Sequence, residues 1–288
     1  MFRNLKQIID NQILNSIRKR AISNELPILV YSNDTMGAYI MWEGVAEKKL
    51  MNNIFSKLSF EPSNYNCVDV GANIGNHSIL FSNFFKKVTS FEPQKEVFEV
   101  LKLNTRKIQN ISIINKGLSD IEKKENIKIP FNKRGMGSLV YDFPENSYYN
   151  ELINLINYDK NFNEEISYVK IDVEGYEIEV IKSMSLNIKK YMPVISFECN
   201  PTQSGLIRNN EIFDILKSYG YDNFYVEKEH FIDKLVLGSN IIVRLIRLLF
   251  KLLFSSPKNK LQNVNLPINK GYNLITCCSS KSKFQIII

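Results

Sequence analysis

The sequence predicts an α/β fold, a doubly wound and mostly parallel seven-stranded sheet with helices on both faces. Three observations carry that expectation. Short apolar runs at 67–70, 88–91, 111–114, 167–171, 193–198 and 221–227 alternate with helical stretches, the pattern of a parallel sheet. The run Cys67 to Val70 ends in a glycine-bearing turn, Gly71-Ala72-Asn73-Ile74-Gly75, then passes through a helix-like stretch, Asn76 to Phe85, to a second run ending at Phe91, which makes one βαβ unit. Glu92 follows that second run, about twenty residues past the turn, where a carboxylate reaches the hydroxyls of a ribose.

Taken in order, residues 2–20 predict an amphipathic helix, and Ile28–Tyr31 with Ala38–Trp42 predict a hairpin around Ser32-Asn33-Asp34. Residues 45–58 predict a helix leading into the first core strand, and Asn273–Cys278 a last strand closing the sheet. The segment between Ser119 and Ser167 reads as a long loop, in which Gly135 and Gly137 allow a mobile turn beside Lys133, Arg134, Tyr141, Phe143, Tyr148, Tyr149 and Tyr158. It is either an acceptor-binding loop or a surface insertion with aromatic anchors. Residues 1–60 are thus a lead-in, and 61–288 one domain with a hydrophobic, basic insertion at about 236–260. Within it, Ile241 to Phe254 places Arg244, Arg247 and Lys251 on one face of an otherwise apolar helix. At about 1.5 Å per residue it spans roughly 20 Å, short of a hydrocarbon core of about 30 Å. It lies in a membrane interface, or it packs on the domain or on a second copy in a homodimer.

Composition excludes several classes. With 288 residues and 44% hydrophobic content the chain fills one large core. Its four cysteines show no C-x-x-C spacing, and Cys67 and Cys199 fall within apolar runs, which suits a reducing cytosol. The basic N-terminus lacks the apolar stretch and cleavage site of an export signal, so the expected location is cytoplasmic, with the inner face of the membrane as an option through Ile241–Phe254. The net charge of +7 is spread among acids, as on a solvated surface, so a nucleic-acid partner is not expected.

The turn also tells against a dinucleotide. Asp69 precedes the first glycine and Asn73 stands where G-x-G-x-x-G has its middle glycine. Asn tolerates positive φ, so the turn survives, while Asp69 repels a pyrophosphate and suits a ligand bearing positive charge. S-adenosylmethionine, with a sulfonium, an ammonium and a ribose but no phosphate, fits that description.

Five blocks then resemble the FkbM-type S-adenosylmethionine-dependent methyltransferases, in that family's order. They are Val68-Asp69-Val70-Gly71-Ala72-Asn73-Ile74-Gly75-Asn76-His77, Phe91-Glu92-Pro93, Asn115-Lys116-Gly117-Leu118-Ser119, Gly137-Ser138-Leu139, and Val169-Lys170-Ile171-Asp172-Val173-Glu174-Gly175-Tyr176-Glu177. The resemblance covers roughly residues 40–230. It implies an O-methyltransferase acting on hydroxyls of sugars, glycans, polyketides or other small acceptors. It also implies that Asp69, Gly71, Asn73, Gly75, Asn76, His77, Glu92, Pro93, Gly117, Leu118 and Asp172 hold S-adenosylmethionine.

Methyl transfer from a sulfonium needs in-line placement and a base for the hydroxyl proton. Candidates lie at strand ends: Asp172, Glu174 and Glu198 as the catalytic set, with Glu177 and Asn200 beside them. His77 is a base by chemistry, but its place at a helix start favours cofactor or backbone contact. A hard divalent cation held by Asp172, Glu198 and Asn200 is a second mechanism; the expectation is no metal. A non-catalytic membrane or protein adaptor on the same fold is the alternative function.

Overall fold

The computed structural model describes residues 28–31, 44–131, 135–199, 203–227, 260–264, 266–268 and 272–288, with a few single positions before residue 44. Nearly all of the 2–20 helix, most of 38–42, Lys133, Arg134, Asn200 and the apolar helix Ile241–Phe254 lie outside them.

The first described elements are α1 (Lys48–Phe55), β1 (Asn66–Val70), α2 (Asn76–Ser82), β2 (Lys87–Phe91), α3 (Lys95–Thr105) and β3 (Ile111–Ile114). Next come β4 (Gly117–Leu118), β5 (Lys123–Pro130), β6 (Tyr148–Ile156) and α4 (Tyr158–Asn161). The chain continues through β7 (Ile166–Ile171), α5 (Glu177–Ser183), α6 (Ser185–Tyr191), β8 (Val194–Cys199) and α7 (Gln203–Ser218), then β9 (Asn223–Glu227), β10 (Leu261–Asn263) and β11 (Tyr272–Cys278). The main sheet has the order β10-β9-β11-β8-β7-β1-β2-β3. All seven expected strands are in it; the eighth is β10, an edge strand of three residues too short to show a period. The pairs from β8 through β3 are parallel, and β11 and β10 add antiparallel partners. The chain winds outward from β1 to β3, then returns to β7 on the other side of β1. That reversal leaves a crevice at the carboxyl ends of β1 and β7.

Both sheet faces are covered. Val68, Val70, Val169 and Ile171 pack with Ile178 and Ile181 of α5 and Ile212 and Phe213 of α7. Cys67, Val88 and Tyr168 point the other way, into a cluster with Met51 and Phe55 of α1 and Phe81 of α2. There the Phe55 ring meets Tyr168 edge-on at 5.2 Å and Phe81 at 5.5 Å. Across that same face runs a row of buried polar side chains in register, Ser90, Asp69, Lys170, Ser196 and Thr276, on β2, β1, β7, β8 and β11. Tyr168 donates to Ser196 at 2.7 Å, and Ser196 lies 2.8 Å from Thr276. Buried polar groups are retained when paired in this way.

Two expectations need correction. Ile28–Tyr31 forms no strand, and Gly37 and Ile40 are helical. The Leu29 amide donates to Asn104 Oδ1 at 2.7 Å and the Asn104 amide donates back to the Leu29 carbonyl, so a side chain on α3 takes the bonds a hairpin partner would need. The stretch from Ser119 to Ser167 is not a long loop. It carries β5 and β6, which join β4 just before it in a second sheet of order β4-β6-β5, with β5 and β6 paired antiparallel from Lys123↔Leu155 to Pro130↔Tyr148. Ile127, Ile129, Ile153 and Leu155 share one buried face with Leu139, Tyr149 and Tyr176, and that face turns towards the crevice.

Candidate active site

A cavity of about 450 Å³ opens at the switch point. Its floor is the turn after β1. Gly71 has φ +78°, and a Cβ there would lie 1.8 Å from the Asp172 carbonyl oxygen, so the β1 and β7 ends touch backbone to backbone. Only glycine fits such an approach. Asn73 takes the left-handed conformation at φ 51°, accepts from the Ile74 amide at 2.8 Å through its side chain, and donates to the Gly135 carbonyl at 3.2 Å. Glu92 accepts from the Asn73 amide at 3.0 Å and the Gln94 amide at 2.9 Å, one bond to each carboxylate oxygen. Each oxygen keeps a lone pair for a ribose hydroxyl. Burial, opposed by those amide bonds, pushes the Glu92 carboxyl up to about 7. Pro93, Gly117 and Leu118 form the adjoining wall, and Ile127, Ile153 and Leu155 of the second sheet cover it. Gln94, also lining the cavity, is buried with no hydrogen-bond partner for Oε1. An apolar slot with a carboxylate and an orphaned acceptor fits an adenosine.

The opposite end is acidic. Carboxylate oxygens of Asp172, Glu174 and Glu198 all lie within 4.8 Å of one another. Asp172 and Glu174 line the cavity, as does Lys170, which is 1% exposed and donates to Asp172 Oδ2 at 2.8 Å. Burial alone would discharge this lysine, but the attraction of Asp172, then Asp69, then Glu47 holds its ammonium above the ordinary value. Burial likewise works to raise Asp172, and Lys170 overcomes it, holding the carboxyl below its usual range. Glu198 goes the other way: burial first, then the charges of Asp172, Glu174 and Glu177, push it to about 9. At neutral pH Asp172 is therefore an anion and Glu198 a neutral acid hydrogen-bonded to it. Three such carboxylates could bracket a hard cation, but Lys170 already supplies the positive charge on Asp172.

The structure does not bring every expected residue to the cavity. Gly71, Asn73, Asn76, His77, Glu92, Pro93, Gly117, Leu118, Asp172 and Glu174 line it. Gly75 does not; its φ of +94° starts α2, and a Cβ would press on Leu101 at 2.8 Å. Asp69, expected to face the donor, is fully buried behind the wall, where Oδ2 accepts from Ser78 at 2.6 Å and Ser78 in turn accepts from Ser90 at 2.8 Å. Asn76 lines the cavity while clamping the lead-in, accepting from the Ala46 amide at 2.9 Å and donating to its carbonyl at 3.2 Å. His77 lies 3.2 Å from Glu47 of the same lead-in. Glu177, a lesser base candidate, reaches back to the Gly175 amide at 3.1 Å.

Sequence reasoning missed Lys170, Gln94 and Glu47. A lysine inside the apolar strand Tyr168-Val169-Lys170-Ile171 was a usable signal, because lysine is almost never fully buried unless paired. Nothing local marks Glu47 or Gln94.

A cavity at the switch point, walled by Glu92 and the strand-end acids, marks a small-molecule crevice on a doubly wound fold. The profile of the FkbM methyltransferase domain matches residues 69–222, more than half of the chain. The chain belongs to the FkbM methyltransferase family. A sequence search of curated proteins returns no significant match. Among solved structures, a methyltransferase FkbM from Methylobacillus flagellatus is similar at 16% identity and TM-score 0.44, over 76% of this chain and 56% of that one. The chain thus spans little more than half the length of the Methylobacillus protein. A Streptococcus mutans protein solved in complex with SAH shares 11% identity at TM-score 0.43, over 79% of this chain and 93% of that one. Precorrin-6y C5,15-methyltransferase from Geobacter metallireducens shares 13% at TM-score 0.39, over 80% and 85% of the respective chains. Among the described residues, no helix is long and apolar enough to cross a membrane.

Proposed function

We propose that the chain transfers the methyl group of S-adenosylmethionine to a hydroxyl of a sugar, glycan or other small acceptor. The observation that carries this reading is Asp172, an ionised carboxylate paired with buried Lys170 at the cavity wall, with a side chain 36% exposed. A hydroxyl is a poor nucleophile until its proton is taken, and a positioned carboxylate supplies that step. Glu92 accepts the ribose hydroxyls, the Gly71–Asn73 turn lets the donor approach the backbone, and Ile127, Ile153 and Leu155 exclude water from the purine side. Bound S-adenosylmethionine supplies an electrophilic methyl on a leaving group that departs neutral. Glu198 holds its own proton beside Asp172, so Asp172 alone of this pair is charged and free to take the hydroxyl proton.

The test is mass spectrometry of neutral polyols, cell-envelope glycans and lipid-linked sugars before and after incubation with protein and donor. Methylation of one class by the native chain and not by Asp172→Asn is the expected result. Methylation of a nitrogen, or of nothing in the presence of bound donor, would sink the proposal. A cytoplasmic site of action, with Ile241–Phe254 resting on the inner membrane face or on a second copy, belongs to the same proposal. Salt-sensitive co-sedimentation with anionic vesicles tests the membrane contact, and sedimentation at increasing concentration tests the dimer.

A further inference from the structure

We propose that Asp69, a buried acid outside the cavity, sets the charge that the donor's sulfonium meets: it neutralises Lys170 and leaves Asp172 as the net anion at the cavity wall. The inference rests on the reading of Asp172 as the group facing the transferred methyl, and it deepens that reading.

Four observations point to it. Asp69 and Lys170 are directly paired in register on β1 and β7, so they stand side by side on one sheet face. Both are buried, at 0% and 1% exposure, where a charge must find a partner. Lys170 donates to Asp172 Oδ2 at 2.8 Å, yet its three donors exceed what one carboxylate oxygen takes. Asp69 has Oδ2 satisfied by Ser78 and no hydrogen-bond partner for Oδ1. The ammonium thus stands between Asp69 behind the wall and Asp172 on it, with Glu47 a weaker third attraction, and Lys170, Asp69 and Asp172 together carry one negative charge. A sulfonium in the cavity cancels it.

The reaction preserves that balance. The acceptor oxygen bonds to the methyl carbon as the carbon–sulfur bond breaks, the electron pair stays on sulfur, and the hydroxyl proton passes to Asp172. The positive charge on sulfur and the negative charge on Asp172 vanish together. Lys170 is left with Asp69 as its counter-ion, so no step leaves an unpaired charge in the protein interior. Without Asp69, Lys170 and Asp172 would cancel each other, and the sulfonium would meet a wall poorer by one negative charge, with Glu174 remaining on it.

The measurement is the ratio of affinities for S-adenosylmethionine and S-adenosylhomocysteine, taken by calorimetry, which needs no acceptor. Asp69→Asn keeps the side-chain volume and an acceptor for Ser78, and the remaining Lys170–Asp172 pair is neutral. In that variant the preference for the sulfonium should fall by about tenfold, the scale of one unit charge several ångströms away in a partly polar interior. Asp172→Asn should lower the ratio at least as much. A purely structural Asp69 predicts equal weakening of both ligands, or no change, in Asp69→Asn, and either result overturns the proposal. If Asp69→Asn does not melt cooperatively, Asp69→Ser removes the same charge with a smaller polar group and is read identically. A native chain that binds neither nucleoside would refute the donor assignment itself and this inference with it. An unchanged ratio in Asp172→Asn would refute the placement of Asp172 and likewise remove the basis for Asp69.

Discussion

The two sheets build the two halves of one cavity and do so differently. The main sheet holds its half through backbone: β1 and β7 meet where Gly71 lies against the Asp172 carbonyl, with no room for a Cβ. The second sheet holds its half through side chains, with Ile127, Ile153 and Leu155 packed over the slot and Gly135 resting on the Asn73 amide. Backbone against backbone cannot yield; a side-chain end can shift. The first half is therefore a rigid frame for chemistry and the second an adaptable cover.

The sharpest way to break that comparison is to add one methyl group to each half. Gly71→Ala forces a Cβ into the Asp172 carbonyl at a positive φ, and should cost roughly 3 kcal/mol or more of stability and abolish donor binding. Gly135→Ala meets the Asn73 side-chain nitrogen at 2.6 Å and should cost only about 1 kcal/mol, with a modest loss of donor affinity. Equal melting temperatures for the two variants would erase the distinction between frame and cover.

Within the frame, Asp172→Asn should lower turnover by about 10²-fold or more while donor affinity changes much less, because a positioned base acts mainly in the transition state. A loss confined to KM would show that Asp172 only binds.

Glu92 provides a smaller effect with a definite sign. Its carboxyl is raised to about 7, so it is mostly protonated at pH 6 and mostly ionised at pH 8. A ribose hydroxyl needs the ionised form as acceptor, and donor affinity should rise about tenfold over that interval, with Glu92→Gln flat. The same raised value means that the protein without donor loses stability as pH climbs from the ordinary carboxylate range through 7. A chain whose affinity ignores pH between 6 and 8 would show that Glu92 does not read the ribose.

The smallest effect belongs to Glu198. Held up to about 9, it is already neutral at pH 7, so Glu198→Gln retains an uncharged hydrogen-bond donor and should change turnover by no more than a few-fold. Glu198→Ala, which removes the donor, should do more harm. A collapse of activity in the amide variant would mean that Glu198 works as an anion.

The same contrast explains what could be read in advance. Strands such as Cys67–Val70 and Val169–Ile171 are buried on both faces and show up as apolar runs. The strands β5 and β6 alternate: Lys124, Asn126, Asn154 and Leu152 are exposed while Ile127, Ile129, Ile153 and Leu155 are buried. Their partners are separated by a connection too long to announce a hairpin, and half of each strand is polar, so the segment passes for a loop. Most of the cavity wall was legible because the glycines and Glu92 are tied to the turn itself. Asp69 was legible as an acid suited to a cation, but its position was not. That it acts across a strand, beside Lys170, depends on the β1–β7 register, which no local pattern encodes. Glu47 enters through the Asn76 clamp on the lead-in, a contact thirty residues apart in sequence.

Asn73 ties these halves together. Its amide is held by Glu92 and its side chain holds Gly135, so one residue spans the ribose acid and the cover. A group resting on Glu92 is therefore two hydrogen bonds from the cover, and frame and cover meet in one residue.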